Sequence, residues 1–402
     1  MIYLSITMQR TYRFRLYPSA GQARMLEQWL NTCRHLYNNS LAERKEAYEH
    51  DKTTINYYDQ ANALKEAKRT DEWLSAVHSQ VLQDVLRRLD KAFQNFFRRV
   101  KNGGEKPGYP RFKSWDRFNS FTFPQSGYKI ETPRLVLSKI GAIKMKMHRK
   151  LPKDARIKTC AIKRDIDQWY VTFVVNLPDK VVQPVEIEEI RTAVGIDLGV
   201  EKVATLSTGD TVGNPKWLRS SEKKLAKEQR ELSRKRKGSE NRKRQRMAVA
   251  RVHRKIRNQR MDFYHKLSRG LVESYDLIVF EDLKVKNMVK NQYLAKSISD
   301  AGWEQLVSFT SYKAEEAGKH MELINPNGTS QTCSGCGMEV RKSLAVRMHR
   351  CPNCGLEMDR DLNAAINILK RGLGTVGTMG RACMSYPLRE AMKQEAHLLV
   401  GG

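Results

Sequence analysis

The spacing of hydrophobic residues changes along the chain, and each change marks a boundary between predicted elements. Residues 9–16, QRTYRFRL, alternate polar and apolar side chains, which predicts a β-strand. From residue 22 to about residue 100 apolar residues recur every three or four positions, which predicts helices. The last of these helices carries a stripe that we interpret as core packing: Val77, Val81, Val85, Leu86, Leu89, Phe93, Phe96 and Phe97.

The hydrophobic period becomes two after the turn-rich residues 103–110. Short alternating segments, separated by Gly and Pro, continue to about residue 184, and no helical segment interrupts them. Strands joined without helices pair in antiparallel order, so this region predicts a small β-barrel. Its polar face is almost entirely positive and includes Arg164, as expected of strands that contact phosphate groups.

Two apolar runs in the second half of the chain each end at an acidic residue. Asp197 follows TAVGI and Glu281 follows LIVF, so each run predicts a core strand that ends in a carboxylate. A carboxylate in such a place is costly unless it binds something positive. A third candidate, Asp361, opens a helical pattern, although Asp359 or Asp361 could equally serve only as a helix cap.

Residues 216–273, between these two runs, form the most basic part of the chain. Gly238 and Ser239 divide two predicted helices, and the second helix has an apolar stripe along one side. A highly charged segment is often only solvated, but this stripe favours an ordered helical hairpin whose cationic side binds nucleic acid. Arg251, Arg254 and Lys255 are the candidate contacts on that side.

Composition narrows the choice of partner. The 402 residues suggest two to four domains, and 73 Lys and Arg against 44 Asp and Glu give a net charge of +29. This excess favours a polyanion, and no apolar run approaches the roughly 20 residues of a membrane-spanning helix. We therefore expect nucleic acid as the partner and no membrane. Seven cysteines without a signal peptide indicate a reducing cytosol.

Four of the cysteines form two CxxCG pairs, Cys333 with Cys336 and Cys351 with Cys354, separated by fourteen residues. Two such pairs can complete a tetrahedral zinc site, and no position is left for water, so the predicted Zn²⁺ is structural. The alternative is two disulfides, which a cytosolic protein disfavours.

Asp197, Glu281 and Asp361 lie on three separate predicted elements and could meet at one sheet edge. Carboxylates suit Mg²⁺ or Mn²⁺, and a pair of such ions can support phosphodiester cleavage. Their order along the chain, two strand ends and then a helix start, is that of a ribonuclease H-like fold.

The segments GIDLGV, FEDL, the twin CxxCG pairs and DRDLNAAINIL together resemble the TnpB family of transposon-encoded RNA-guided DNA endonucleases, related to the type V CRISPR effectors. The resemblance implies a RuvC-type nuclease whose catalytic acids are Asp197, Glu281 and Asp361, with a zinc ribbon inserted in the nuclease domain. Asp282 would be a bystander, and Asp359 is the less favoured of the two aspartates before the last helix.

The resemblance also implies the partners: a structured omega (guide) RNA and a double-stranded target DNA that carries a short adjacent motif. Ser79, Gln80, Gln83 and Thr122 are the candidates for reading that motif. The expected assembly is a monomeric ribonucleoprotein in a bacterial or archaeal cytosol, associated with the nucleoid.

The predicted fold is α+β and multidomain, with a helical recognition domain, a β-barrel wedge domain and a ribonuclease H-like α/β nuclease domain. The predicted boundaries are 1–16 for the first wedge strand, 17–107 for the recognition domain, 108–184 for the wedge, 185–191 for a linker, 192–328 and 358–371 for the nuclease domain, 329–357 for the zinc ribbon and 372–402 for a flexible tail. Two other functions stay open: an RNA-guided DNA-binding regulator that does not cleave, and a transposase that acts on transposon ends.

Overall fold

The computed structural model describes residues 9–103, 107–178, 184–288, 290, 295–343 and 346–375. The chain divides into two units, Leu4–Val181 and Val182–Gly402 with Met1–Tyr3. Most of the predicted tail, from residue 376 onward, and the first eight residues of the predicted first wedge segment lie outside the described residues.

The unit Leu4–Val181 begins with a strand and four helices. They are β1 (Gln9–Tyr17), α1 (Ala20–Asp51), α2 (Tyr57–Thr70), α3 (Glu72–Ala76) and α4 (Ser79–Asn102). Pro18 and Ser19 separate β1 from α1, and Ser19 forms a capping box with Gln22 that satisfies free backbone amides at the helix start. The change from alternating to helical spacing therefore falls where the sequence predicts it.

Six further strands complete an antiparallel sheet in this unit. They are β2 (Ser120–Phe123), β3 (Tyr128–Glu131), β4 (Arg134–Leu137), β5 (Gly141–Lys146), β6 (Arg156–Asp165) and β7 (Gln168–Asn176). The order across the seven-stranded sheet is β2-β6-β7-β1-β5-β4-β3, so β1 lies at its centre. The antiparallel pairing is as predicted; among the described residues the edge strands β2 and β3 share no ladder that would close a barrel.

Two expectations for this unit require correction. Val77, Val81, Val85, Leu86 and Leu89 are buried, but the stripe does not stay in the core, because Phe97 is 59% exposed. Arg164 does not face solvent either: it is 5% exposed and forms an ion pair with Glu27. Burial of its charge is offset by that carboxylate, so Arg164 belongs to the interior and is no phosphate contact.

The second unit contains the other strands and helices. After a 3₁₀ turn (Ile187–Glu189) come β8 (Ala193–Asp197), β9 (Lys202–Leu206), β10 (Thr211–Gly213), α5 (Trp217–Arg234), α6 (Glu240–Ser274), β11 (Leu277–Glu281), α7 (Val285–Met288), α8 (Ala295–Ala301), α9 (Trp303–Ala317), β12 (His320–Ile324), β13 (Met348–Arg350), β14 (Glu357–Asp359) and α10 (Arg360–Thr375).

Five of these strands form a mixed sheet in the order β10-β9-β8-β11-β12. β8, β11 and β12 run parallel, whereas β9 and β10 are antiparallel to their neighbours. One face of the sheet packs against apolar residues of α6 and α9, and the other face packs against Ile368 and Leu369 of α10. The sheet is thus the middle of three layers.

The basic segment forms the predicted helical hairpin, α5 and α6. Ser239 caps the start of α6. Leu225 of α5 packs with Val252 and Ile256 of α6, so the apolar stripe is buried between the two helices. Nowhere in the described ranges does a helix combine the length and apolar character needed to cross a bilayer.

Helix α10 continues to Thr375, four residues beyond the predicted end of the nuclease segment. The reason is packing: a Cβ on Gly372 would lie 2.4 Å from a methyl group of Val279 on β11. Gly372 therefore lets α10 pack directly against β11, and it is part of the helix and not the start of a linker.

Candidate active site and metal centre

Asp197 and Glu281 end neighbouring parallel strands in matching register. Ile196 on β8 pairs with Phe280 on β11, so the next residue of each strand is one of the two acids. Parallel neighbours lie about 4.8 Å apart in a sheet. Alternation along each strand places Asp197 on the side of Ala193 and Gly195, and Glu281 on the side of Leu277 and Val279, which is the side covered by α10.

Asp361 reaches the same edge of the sheet from α10. It is the second residue of that helix, and its side chain is 19% exposed. The helix lies directly on β8, since a Cβ on Gly195 would be only 2.2 Å from the carbonyl oxygen of Ala365. The structure therefore brings the three predicted acids together.

Asp359 has a different position from Asp361. Its Oδ1 accepts hydrogen bonds from the backbone N–H groups of Asp361 at 2.8 Å and Leu362 at 3.3 Å, which caps α10. Burial raises the pKa of Asp359, but these backbone bonds and Lys202 outweigh it and leave the pKa below its ordinary value. The cap role thus falls to Asp359 and not to Asp361.

The proximity of the acids appears in their electrostatics. Burial, followed by the negative charges of Glu281 and Asp361, raises the pKa of Asp197 to about 8. Burial also raises the pKa of Glu281, which is 7% exposed, although the Thr329 hydroxyl lies 2.5 Å from its Oε1 and opposes the shift. A buried carboxylate whose pKa is raised further by neighbouring carboxylates, as that of Asp197 is, is typical of cation sites and catalytic clusters.

Two arginines contact the third acid. Arg360 places Nη2 3.1 Å and Nε 3.2 Å from Asp361 Oδ1. Arg347, between the two cysteine pairs, lies with Nη1 3.9 Å from Asp361 Oδ2 and Nη2 3.6 Å from Glu201. The sequence analysis identifies neither arginine and does not identify Thr329. Of the three residues, only Arg360 could be found from the sequence, because it stands beside Asp361 in DRDLN.

The four cysteines of the CxxCG pairs form one cluster. Their sulfur atoms all lie within 4.8 Å of one another, with Cys333 Sγ 3.6 Å from Cys354 Sγ and Cys336 Sγ 3.5 Å from Cys351 Sγ. Four thiolates at about 2.3 Å from a central ion would lie about 3.8 Å apart, so the spacing fits a zinc ribbon and not disulfides. β13 and β14 form the small two-stranded ribbon beside it.

Backbone and side-chain donors aimed at sulfur favour the thiolate form that a metal needs. The side chain of Asn353 and the backbone N–H of Met338 lower the pKa of Cys336 to about 6.

Two buried asparagines of α10 connect the cysteine cluster to the acids. Asn363 accepts from the N–H of Ser334 at 2.9 Å and donates to the carbonyl of Thr332 at 2.8 Å. Asn367 donates to the same carbonyl and to that of Thr329. Since Asp361 lies in the first turn of this helix, these hydrogen bonds tie the segment around Cys333 to the element that carries the third acid.

The acids are spaced more widely than the cysteines. Within the described ranges, the four cysteines form a group of His, Cys, Asp or Glu residues whose possible ligand atoms all lie within 4.8 Å of one another; the three acids do not form such a group. The donor set, three carboxylates with no sulfur or imidazole, fits Mg²⁺ or Mn²⁺.

The candidate nucleic-acid residues lie in two places. In the first unit, Ser79 Oγ accepts from Lys68, Gln80 Oε1 accepts from the N–H of Ser126, and Thr122 Oγ1 accepts from Arg88. Gln83 is half-buried on α4. In the second unit, Arg251 and Lys255 are exposed on α6 and Arg254 is half-buried. No contact with nucleic acid tests these residues, so their roles stay predictions.

Three family profiles match the chain. The OrfB_IS605 profile, described as a probable transposase, matches residues 173–292. The TNB domain of Cas12f1-like proteins matches residues 303–368, which contain the cysteine cluster, and a helix-turn-helix domain profile of OrfB_IS605 matches residues 8–53.

Curated relatives extend over nearly the whole chain. A Streptomyces pristinaespiralis protein that carries the provisional name RNA-guided DNA endonuclease is 37% identical over 405 residues, which is 98% of each chain. An Escherichia coli K12 protein with the provisional name RNA-guided DNA endonuclease InsQ is 32% identical, covering 95% of this chain and 96% of that protein.

Solved structures with detectable similarity are more distant. The mini-RNA-guided endonuclease CRISPR-Cas_phi3 is 11% identical with a TM-score of 0.48, covering 95% of this chain and 94% of its own. A Cas12f1 chain in complex with sgRNA and target DNA is 17% identical with a TM-score of 0.35, covering 90% and 99%. Likeness at this level does not establish a shared fold.

Proposed function

The chain belongs to the TnpB family, and from this membership we propose that it is an RNA-guided DNA endonuclease of an insertion sequence. The observation that carries the catalytic part of the proposal is the convergence of Asp197, Glu281 and Asp361 at one edge of a sheet. The sheet order, with three parallel strands and two antiparallel ones, supports a ribonuclease H-like (RuvC) domain over residues 192–328 and 358–371.

We assign the catalysis to the three acids. Bound Mg²⁺ or Mn²⁺ would supply an activated water and stabilise the leaving oxygen of the phosphodiester. Burial and the neighbouring carboxylates raise the pKa of Asp197 to about 8, so positive charge at this edge of the sheet would favour its ionised form. The Thr329 hydroxyl fixes the rotamer of Glu281, and the packing of α10 on Gly195 sets the position of Asp361.

The cysteine cluster would hold one structural Zn²⁺ within residues 329–357. Its four sulfurs leave no ligand position for a substrate, so its role is to order the ribbon and, through Asn363 and Asn367, the start of α10. Arg347 belongs to residues 329–357 and contacts Asp361. The zinc-binding segment thus contributes one positively charged side chain to the acidic site.

The nucleic-acid partners follow from family membership and charge. A net charge of +29 suits a protein that holds both a structured guide RNA and a double-stranded target. In such a complex, base pairing with the guide selects the sequence, while the protein contacts backbones and reads a short adjacent motif. Ser79, Gln80, Gln83 and Thr122 are assigned to that motif, and Arg251, Arg254 and Lys255 to phosphates.

Reconstitution tests this function. Purified protein with its copurifying RNA should cut a plasmid that matches the RNA's variable end, and should require the RNA, the adjacent motif and Mg²⁺ or Mn²⁺ together. Tight target binding without cleavage under those conditions would instead identify a non-cleaving regulator. Strand transfer of transposon ends without RNA would identify a transposase.

A further inference from the structure

A groove of about 880 Å³ lies between α1 and α3 in the unit Leu4–Val181. It is open on one side, and its lining includes an indole, three carboxamide side chains and two arginines. Grooves of roughly 300–1,000 Å³ are the usual size of sites for small organic groups. Neither the acidic site nor the candidate motif-reading residues form part of this lining.

The indole of Trp73 forms one side of the groove and is 62% exposed. Three contacts of neighbouring residues hold the short helix that carries Trp73. Asp71 caps α3 by accepting from the N–H of Leu74 at 3.0 Å, Leu74 packs against the core, and Lys139 donates to the carbonyl of Ser75. A large aromatic surface left open to water on a fixed helix is the usual form of a stacking platform.

The opposite side of the groove is one face of α1. Gln28, Asn31 and Asn39 are separated by 3, 8 and 11 residues, so they project from the same side of that helix. Carboxamides offer a donor and an acceptor side by side, which matches the edges of nucleobases. This combination of an aromatic plane and carboxamides suits a flat heterocycle with polar edges.

The charges in the groove favour an anion by a small margin. Glu27 is neutralised by its ion pair with Arg164, which leaves two arginines against the single carboxylate of Asp71, the cap of α3. Arg24 is exposed, and Arg34 contacts His35 through Nη2, while its buried Nε has no hydrogen-bond partner in the part of the chain described. The groove therefore has two guanidinium groups in its lining as well as the aromatic plane.

We propose that this groove binds an unstacked nucleotide of the bound nucleic acid, with the base on Trp73, its edge on Gln28, Asn31 or Asn39, and its phosphate on Arg24 or Arg34. The proposal rests on the proposed function, since it assigns part of the nucleic-acid contact of that ribonucleoprotein. RNA and DNA share this chemistry, and the guide RNA and the displaced or target DNA strand are the two possible sources.

Photocrosslinking and affinity measurements test the groove. Guide RNA substituted with 4-thiouridine and target DNA substituted with 4-thiothymidine are irradiated in separate arms with wild-type protein and with Trp73→Ala, Trp73→Phe and Tyr58→Ala. Tyr58 is an exposed aromatic residue on α2 outside the groove and serves as the matched control. Thermal melting shows that each variant is folded.

The expected result is a crosslink at Trp73 in one arm, which identifies the source. Trp73→Ala should raise Kd for that nucleic acid by about 5- to 100-fold, whereas Trp73→Phe and Tyr58→Ala should change it less than about 3-fold. Neutralising both arginines, Arg24→Gln with Arg34→Gln, should weaken binding and reduce its salt dependence.

Wild-type protein that binds RNA and cleaves target, with a Kd unchanged by Trp73→Ala and no crosslink at Trp73 in either arm, would overturn the groove assignment and leave the proposed function intact. A shift from dimer to monomer caused by Trp73→Ala, with unchanged nucleic-acid binding, would also overturn it. Wild-type protein that neither binds RNA nor cleaves would refute the proposed function itself.

Discussion

Gly195 of β8 and Ala365 of α10 approach so closely that a Cβ on the glycine would lie 2.2 Å from the alanine carbonyl oxygen. Gly195 precedes Asp197 by two residues, and Ala365 follows Asp361 by four. One contact between a strand and a helix therefore sets the distance between two of the three acids, and any side chain at position 195 would change it.

Gly195→Ala should destabilise the protein because the new methyl group meets the backbone of α10, which cannot move aside as a flexible side chain would. Overpacking of this kind costs about 1–3 kcal/mol, or more against backbone. Thermal melting measures the loss. Gly213→Ala is the matched control, since a Cβ there meets nothing within 4 Å. Equal melting temperatures for the two variants would show that α10 does not pack on β8 as described.

Asp197→Asn should stabilise the protein increasingly as pH rises, when no Mg²⁺ or Mn²⁺ is present. The pKa of Asp197 rises on folding from an ordinary 3.8 to about 8, so the native state keeps a proton that the unfolded chain releases. Wild-type stability therefore falls across this interval, and the amide avoids the loss. Calorimetry between pH 4 and 9 should show a growing difference in Tm between the variant and the wild type.

A pH-independent difference in Tm for Asp197→Asn would contradict the burial of this carboxylate beside Glu281 and Asp361, which together raise its pKa.

Cys351→Ser should remove zinc and lower Tm, since Cys351 is buried and supplies one of four sulfurs. A loss of 2 kcal/mol lowers Tm by about 4–8 °C for a unit of this size. Elemental analysis should find one zinc per wild-type chain and less in the variant. Cys160→Ser, buried in the other unit, should keep the zinc. Well-folded wild-type protein without zinc would refute the assignment.

Reversing Arg251, Arg254 and Lys255 to Glu should weaken nucleic-acid binding and flatten its salt dependence. Each lost phosphate contact on a duplex reduces the slope of log K against log salt by about 0.9. Binding titrations between 50 and 300 mM salt would give the slopes. The same three positions changed to Gln should give an intermediate effect, and an unchanged slope for both triple variants would place the nucleic acid elsewhere.

The sequence predicted those parts of the structure that depend on local spacing. The strand ends at Asp197 and Glu281, the division of the basic hairpin at Ser239 and the convergence of the cysteine pairs all follow from periodicity or fixed ligand spacing. Alternation also fixes the face on which both strand acids lie, once the covering helix is known.

Other features depend on tertiary packing and have no local signal. Phe97 continues the apolar spacing of α4 but passes the end of the core, so its exposure could not be derived from its spacing. Arg164 lies on the same strand face as the buried Cys160 and Ile162, but its charge suggested a solvent position, and only the folded chain shows that Glu27 from α1 makes its burial favourable. Thr329 contacts Glu281 across 48 positions of sequence, and only the folded chain shows that pair.

The comparison of Asp361→Asn with Asp359→Asn tests the central claim most directly. Both variants should bind guide RNA and target DNA like wild type. Asp361→Asn should reduce the cleavage rate by about 100-fold or more, because a metal-binding carboxylate supplies several kcal/mol of charge stabilisation. Asp359→Asn, which keeps a capping oxygen, should cleave within about 5-fold of wild type. Cleavage by Asp361→Asn at the wild-type rate would contradict the account.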